Sequence, residues 1–461
     1  MKSGPHPAVM SSLRITIGGV RGIVGETLTP GLIVRYSHAL ATWLEGGKVF
    51  VSRDTRRSGE MVLNCAATGL IAAGCQVVDL GICTTAALQL AVKHSDAAGG
   101  LAITAGHNIA SWNALKSVRA DGMFLNPAQA AELLDIYHQG EFLKAQWNGL
   151  RPLERDTEAG LRHLDAITEQ LDVEAISRSG LRVAVDCANG ACSAYAPRLL
   201  EMLGLETMAM NTEVELPFPH PPEPSRANLS QLRALVRAAG ADVGFAFDAD
   251  GDRLGLVCHD GEAPGEEMTI CLATDMILSR GDAGPVITNL STTQAVGDIA
   301  RRHGREVIRT PIGQAHIAEA AANHAAAVAG EGSGGVVFPR INYAQDSLAC
   351  MGHLLESMAR GEKTLAQLVA AVPVYHMVKE VVKCPTERAF SVLESLRRQG
   401  RPSGTEYEDL QDGIKYGTGD RWVHIRVSMT EPIIRVIAEA RRRETAEDLV
   451  RFYVSEIRRR M

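Results

Sequence analysis

Three similar α/β units followed by a smaller C-terminal α+β unit are predicted by three observations. A short β-branched run that ends in a polar or Gly-bearing loop, then opens into a helical pattern, occurs three times along the chain. The final stretch follows a different order, in which a helix, two strands and a closing helix replace the strand, loop, helix grammar. The chain has 461 residues, 46% hydrophobic and 22% charged, which suits a globular protein large enough for two to four domains.

The repeated grammar runs over Lys48 to Glu60 (KVFVSRDTRRSGE), Leu181 to Cys192 (LRVAVDCANGAC) and Pro285 to Val296 (PVITNLSTTQAV). A helix-length stretch follows each, and Gly74, Gly204 and Gly304 are placed as their C-caps. Glu158 to Leu171 reads as an amphipathic helix before the break at Ser177 to Gly180. Further breaks fall at Glu262 to Glu266 and around Val372 to Thr386, where strand-like VYHMVKEVV precedes Pro385. The expected units are therefore 1–172, 173–265, 266–380 and 381–461, the last with strands at Trp422 to Ser428 and Ile433 to Ala440.

A net charge of −7 and a pI near 6.1 give no reason to expect a nucleic-acid partner. Arg441 to Arg443 and Arg458 to Arg460 read as solvated helix faces and tail. Nine cysteines without C-x-x-C spacing argue against zinc or a disulfide framework. The start lacks an apolar targeting core, and no apolar run of about 18 residues occurs, so no membrane partner is expected and a cytoplasmic location is the default. Nothing in the sequence sets an oligomeric state.

Four loops carry the residue types of phosphoryl chemistry. Asp248, Asp250 and Asp252 alternate on a Gly-bearing turn between strand-like VGFAF and LGLVC, where three carboxylates can converge on a hard cation such as Mg²⁺. Arg253 follows, with a fork suited to phosphate oxygens. An EF-hand fits poorly, because His259 stands where its bidentate Glu belongs; an ordinary Asp-rich hairpin turn is the plainer alternative. The loop Ile103 to Lys116 carries His107, Asn108, Asn113 and Lys116, which suit an acid/base pair beside a phosphoryl group or a structural turn. Glu331 to Gly335 places Glu and Ser on a Gly-rich loop able to bond vicinal sugar hydroxyls, or is a plain flexible loop, and Arg426 to Arg435 surrounds a turn with arginines and hydroxyls that suit a phosphate dianion or an ordinary polar β-turn with Pro.

In this order the loops resemble those of the α-D-phosphohexomutase family over nearly the whole chain. The resemblance extends to Gly19-Val20-Arg21-Gly22, Arg53 to Gly59, Val185 to Ala191, Phe218 to Pro224, Asn289 to Thr292, and Arg309-Thr310-Pro311-Ile312-Gly313. It implies four domains around a central cleft, Mg²⁺, a hexose phosphate substrate and a hexose bisphosphate intermediate formed through a phosphoserine. By position it implies Mg²⁺ on Asp248, Asp250 and Asp252, and transfer between His107 and Lys116 with Arg21 and Arg253 assisting. Sugar reading would fall to Glu331 and Ser333, with Thr310 and Gly313 also in contact with substrate; the non-transferring phosphate would lie on Arg426, Ser428, Thr430 and Arg435.

The chain departs from the pattern at several points. Gly106 replaces the nucleophilic serine, Ile109 a proline, Ala114 a glycine, Gly335 a histidine found in many members, and Met429 a Gly or Asn. Losing a nucleophile costs orders of magnitude in rate, so three expectations follow. The chain interconverts glucosamine, mannose or glucose phosphates slowly or with a bisphosphate as carrier, hydrolyses sugar phosphates with Mg²⁺, or binds them without turnover.

Overall fold

Each of the three predicted strand, loop, helix segments lies inside its own sheet. The computed structural model describes residues 14–16, 19–428 and 432–461. The first sheet comprises β1 (Arg14–Thr16), β2 (Gly19–Ile23), β3 (Lys48–Arg53), β4 (Gln76–Ile82), β5 (Gly99–Ile103), β6 (Trp112–Arg119) and β7 (Glu154–Arg155), in the order β1-β2-β6-β5-β3-β4-β7. The second has β8 (Arg182–Asp186), β9 (Glu206–Met210), β10 (Val243–Phe247) and β11 (Leu254–Cys258), ordered β11-β10-β8-β9. In the third, β12 (Val286–Asn289), β13 (Val307–Thr310), β14 (Val328–Gly330) and β15 (Val336–Val337) are ordered β13-β12-β14-β15. The predicted strands β3, β8 and β12 each pair in parallel on both sides. Their apolar runs are buried because helices cover both sheet faces, the setting in which β-branched runs without polar alternation are stable.

Helix ends follow local chemistry. Thr84 accepts a hydrogen bond from the Ala87 N–H at 3.2 Å and so caps the helix Thr85–Lys93. Asn126 and Gln129 form a capping box ahead of the helix Pro127–Gln139. Gly74, Gly204 and Gly304 lie just beyond helix ends with φ of 92°, 71° and 67°, as their placement predicts.

The fourth sheet is antiparallel. It holds β16 (His376–Lys383), β17 (Tyr407–Asp409), β18 (Ile414–Gly417), β19 (Arg421–Val427) and β20 (Ile433–Ala440), ordered β16-β20-β19-β18-β17. The helices Thr386–Arg398 and Arg443–Arg460 pack on it. Sequence reading missed β17 and β18, since Tyr407-Glu408-Asp409 is polar and carries no strand pattern of its own. One further difference bears on the site. Asn113, Ala114 and Lys116 belong to strand β6, which pairs with β5 and β2, so the predicted loop ends before Trp112.

The cores show how the units are joined. One apolar cluster runs from Leu88 through Leu199 and Phe245 to Leu354, and so fuses side chains of all three α/β units. The fourth unit has its own core, around Val392, Ile425, Val436 and Tyr453. Its junction with the third unit is largely polar.

Candidate functional site

Three of the four loops predicted to carry chemistry leave the C-terminal ends of parallel strands, where an open α/β sheet presents its ligand crevice, and the fourth, from Arg426 to Arg435, joins antiparallel β19 and β20. The segment after β3 supplies Asp54 and Arg56, the segment after β5 supplies Thr104 to Asn108, and the segment after β10 supplies Asp248 to Arg253. The segment after β14 supplies Glu331 to Gly335.

Gly106 has φ +57°, the left-handed region that costs a residue with a side chain about 1–2 kcal/mol. Its N–H donates to Thr104 Oγ1 at 3.0 Å, and Arg56 Nη2 donates to its carbonyl at 2.8 Å. The same guanidinium nitrogen reaches the Asn108 carbonyl, while Nη1 pairs with buried Asp54. The loop backbone is thus held from below by a buried ion pair. A Cβ placed at position 106 would point at Asp250, 3.5 Å from Oδ2 and 3.6 Å from Oδ1, in ordinary contact.

Asp248, Asp250 and Asp252 are buried on the turn between β10 and β11. Gly251 must lack a side chain, since a Cβ there would lie 2.8 Å from both Cys192 Sγ and Thr84 Cγ2. The turn is held by Ser347, whose N–H and hydroxyl both donate to the Gly251 carbonyl, and by the Thr85 N–H, which donates to the Asp250 carbonyl at 3.1 Å. Lys116 Nζ donates to Asp250 Oδ2 at 2.8 Å and to Asp252 Oδ2 at 3.1 Å. Gln314 also donates to Asp252 Oδ2, at 2.9 Å.

Burial and the two neighbouring carboxylates push Asp248 well above the usual carboxylate range. Burial and Asp250 raise Asp252 to about 6, whereas at Asp250 burial is outweighed by Lys116 and the carboxyl is held low. Burial disfavours the Lys116 ammonium, but Asp250 and Asp252 overcome it and keep the group charged. Burial, then Arg253 and Arg21, lower His107 to about 3, so its imidazole is neutral at pH 7.

Three carboxylates suit a hard divalent cation by donor type, and Asp250 Oδ1 is buried with no hydrogen-bond donor among the described residues. Among the described residues, however, no three His, Cys, Asp or Glu side chains are gathered closely enough to hold a metal as they stand. Lys116 lies on two of the carboxylates.

Beside this cluster opens a cavity of about 410 Å³ that Arg253, Glu331, Ser333, Arg426, Ser428 and Arg435 help to line. The loop from Glu331 to Gly335 docks against the acidic turn, with the Leu254 N–H donating to the Gly334 carbonyl at 3.1 Å. Glu331 is oriented by Asn289 Nδ2 at 3.0 Å on Oε2 and by the Ser333 hydroxyl at 2.7 Å on Oε1. Thr310 is buried and donates to the Pro311 carbonyl, and Gly313 precedes the helix Gln314–Asn323; neither lines the cavity, although Ile312 between them does. Met429 and Thr430 lie outside the described residues.

Sequence reading missed Glu267 and Lys379, which line the same cavity with Nζ 3.6 Å from Oε1. Burial lifts Glu267 to about 7 against the pull of Lys379. It also missed Arg56, Thr104 and Gln314 as loop supports. Of these, Arg56 and Thr104 stood in quoted motifs, and Gln314 stood in none.

Three family models match the chain. They describe domains I, II and III of phosphoglucomutase/phosphomannomutase, each alpha/beta/alpha, over residues 15–144, 162–261 and 264–375. The chain belongs to the phosphoglucomutase/phosphomannomutase family. Among its relatives in this α-D-phosphohexomutase family is a phosphoglucomutase/phosphomannomutase of Thermococcus kodakarensis, 34% identical over 93% of this chain and 95% of that protein. A probable phosphoglucosamine mutase of Methanopyrus kandleri is 33% identical over 96% and 97%. A solved phosphoglucomutase/phosphomannomutase family protein of Burkholderia thailandensis superposes with a TM-score of 0.86 at 25% identity, over 98% of this chain and 97% of that one. The three α/β units and the sheet-rich fourth unit are thus the phosphohexomutase architecture. Among the described residues, no helix is long and apolar enough to cross a membrane.

Proposed function

We propose that this chain binds hexose phosphates across the cleft, with one phosphate on Arg426, Ser428, Thr430 and Arg435 and the other end of the sugar facing Gly106, His107 and Lys116. The single observation that carries the reading is the shared cavity. Paired arginines at one wall and the oriented Glu331 carboxylate at another match a ligand with a dianion at one end and vicinal hydroxyls in its middle. Relatives named as phosphoglucosamine mutase and phosphoglucomutase/phosphomannomutase support glucosamine, glucose and mannose phosphates as the class.

At the reacting end, Arg21 and Arg253 supply positive charge and neutral His107 offers a ring nitrogen for hydrogen bonding. Asp248, Asp250 and Asp252 would hold Mg²⁺, which when bound polarises a phosphoryl oxygen as a Lewis acid. Lys116, whose ammonium lies on Asp250 and Asp252, would add positive charge beside that oxygen. Residue 106 offers no side-chain oxygen, so no phosphoserine forms there and turnover through that residue is absent. Hexose 1- and 6-monophosphates and the 1,6-bisphosphate are then ligands of one cleft, with interconversion slow or dependent on added bisphosphate.

The test pairs calorimetry with activity. Glucosamine 6-phosphate, mannose 6-phosphate, glucose 6-phosphate and glucose 1,6-bisphosphate are titrated into the protein, and interconversion of 1- and 6-phosphates is followed with Mg²⁺ and bisphosphate. Micromolar to millimolar binding with little turnover is the expected result. Absence of binding by all four ligands overturns the reading.

A second reading, a Mg²⁺-dependent sugar phosphatase, is favoured by one observation. Lys116 and neutral His107 are both in place while position 106 presents only backbone toward Asp250. Phosphate release from the same sugar phosphates on adding Mg²⁺ supports it, and none counts against it.

A further inference from the structure

The polar junction between the third and fourth units contains a series of hydrogen bonds, joined through the covalent frames of Asp412 and Ser291, that leads from the phosphate end of the cavity to the sugar-reading carboxylate. Arg426 Nε lies 3.2 Å from Asp412 Oδ2. The Asp412 backbone carbonyl accepts from His424 Nε2 at 2.6 Å. His424 Nδ1 is 2.8 Å from Ser291 Oγ, and the Ser291 N–H donates to Asn289 Oδ1 at 2.9 Å. Asn289 Nδ2 in turn donates to Glu331 Oε2 at 3.0 Å.

The direction of each bond follows from what each group can do. A carbonyl only accepts, so Nε2 carries the ring proton, Nδ1 of the neutral ring is an acceptor, and the Ser291 hydroxyl donates to it. Burial keeps the ring neutral by lowering His424 to about 4. Asn289 uses both ends of one amide, accepting from Ser291 and donating to Glu331.

The line is also mechanically tied. The Asp412 turn between β17 and β18 accepts the Ile312 N–H at 3.0 Å, and buried Lys415 donates to the Leu290 carbonyl at 2.5 Å while lying 4.1 Å from the Trp422 ring centroid. Glu439, buried, accepts from Trp422 Nε1 at 2.8 Å and from the Gln294 N–H at 2.7 Å. Among the described residues the two units share no apolar core, so these directional bonds set their relative placement.

We infer that His424 is a positioning residue: through Ser291 and Asn289 it sets the Glu331 carboxylate in register with the phosphate held at Arg426. It touches no ligand itself. This inference rests on the hexose phosphate reading given above. A ligand that engages Arg426 shifts Asp412, and the shift reaches Glu331 through the contacts of His424, Ser291 and Asn289.

The test is a double-mutant cycle on the full chain, read by calorimetry with glucose 6-phosphate. His424→Phe is expected to weaken binding about tenfold, since a buried hydrogen-bond pair is lost on each side of the ring. His424→Gln keeps one acceptor and one donor, and is expected to remain within about threefold of the parent protein. Glu331→Gln is expected to weaken binding alone, and adding His424→Phe to it should then cost little more. Ser291→Ala interrupts the same line without altering the fourth unit, and is expected to show the same non-additivity with Glu331→Gln. That arm carries the test if the phenylalanine variant does not fold. Additive losses in the cycle, or a glutamine variant as weak as the phenylalanine one, overturn the inference while leaving the hexose phosphate reading intact. No binding by the parent protein removes both.

Discussion

Arg56 donates to the carbonyl of Gly106 at 2.8 Å, so the residue standing where the resemblance places a phosphoserine has its backbone clamped by a buried guanidinium. The shape of the loop therefore does not depend on the side chain at 106.

Gly106→Ser should fold with a loss of about 1 kcal/mol, the cost of a side chain at φ +57°. Its Cβ would point toward Asp250 without a clash. With glucose 1,6-bisphosphate and Mg²⁺, interconversion of hexose 1- and 6-phosphates is expected to rise by about 10³-fold or more. Urea unfolding, a coupled assay and mass spectrometry for a phosphorylated serine check the three parts. An inactive, unphosphorylated serine variant with native stability would show that the cleft is not that of a phosphoserine enzyme.

Arg56→Met should destabilise the protein by about 3 kcal/mol, because it leaves buried Asp54 without its partner and two loop carbonyls without a donor. Pairing it with Asp54→Asn should recover part of that loss. Urea midpoints of the single and double variants measure both, and an additive loss would mean that the two groups do not act as a pair.

Mg²⁺ at about 100 times its dissociation constant should stabilise the protein by about 2.7 kcal/mol, and EDTA should remove the gain. Asp250→Asn should abolish the effect, since Asp250 Oδ1 is a buried acceptor without a donor among the described residues. Thermal unfolding with and without Mg²⁺ decides it. An unchanged midpoint in the parent protein counts against cation binding by this turn.

Glu267 makes a prediction about pH. Burial raises its carboxyl to about 7 in the folded protein from an ordinary 4.5, so between these values the folded state holds a proton that the unfolded chain has released. Its stabilising contribution is full below about 4.5 and is lost as pH rises through about 7. Glu267→Gln should therefore flatten the decline in stability between pH 4.5 and 8, and gain on the parent protein toward the alkaline end. Parallel urea titrations at several pH values would show two equal slopes if Glu267 carries no such shift.

The local features of the site were legible because they are written in contiguous residues. Asp248, Asp250 and Asp252 alternate on one turn, β3, β8 and β12 are apolar runs with polar loops at their ends, and a glycine at 106 is plain in any alignment of motif to chain. Lys116 was assigned to a loop because strand β6 is polar in sequence and becomes buried only by pairing between β2 and β5. Strands β17 and β18 were hidden for a similar reason, as Tyr407 to Asp409 is a strand only by virtue of its partner.

The sequence by itself determined the fold class and the family and predicted which loops would carry phosphoryl chemistry, since short-range pattern and turn chemistry are written in contiguous residues. Tertiary structure alone decided which distant groups meet: Arg56 under Gly106, Glu267 beside Lys379, and His424 joined to Ser291 across 133 residues. Such contacts depend on how separate sheets pack, and no local periodicity records that packing.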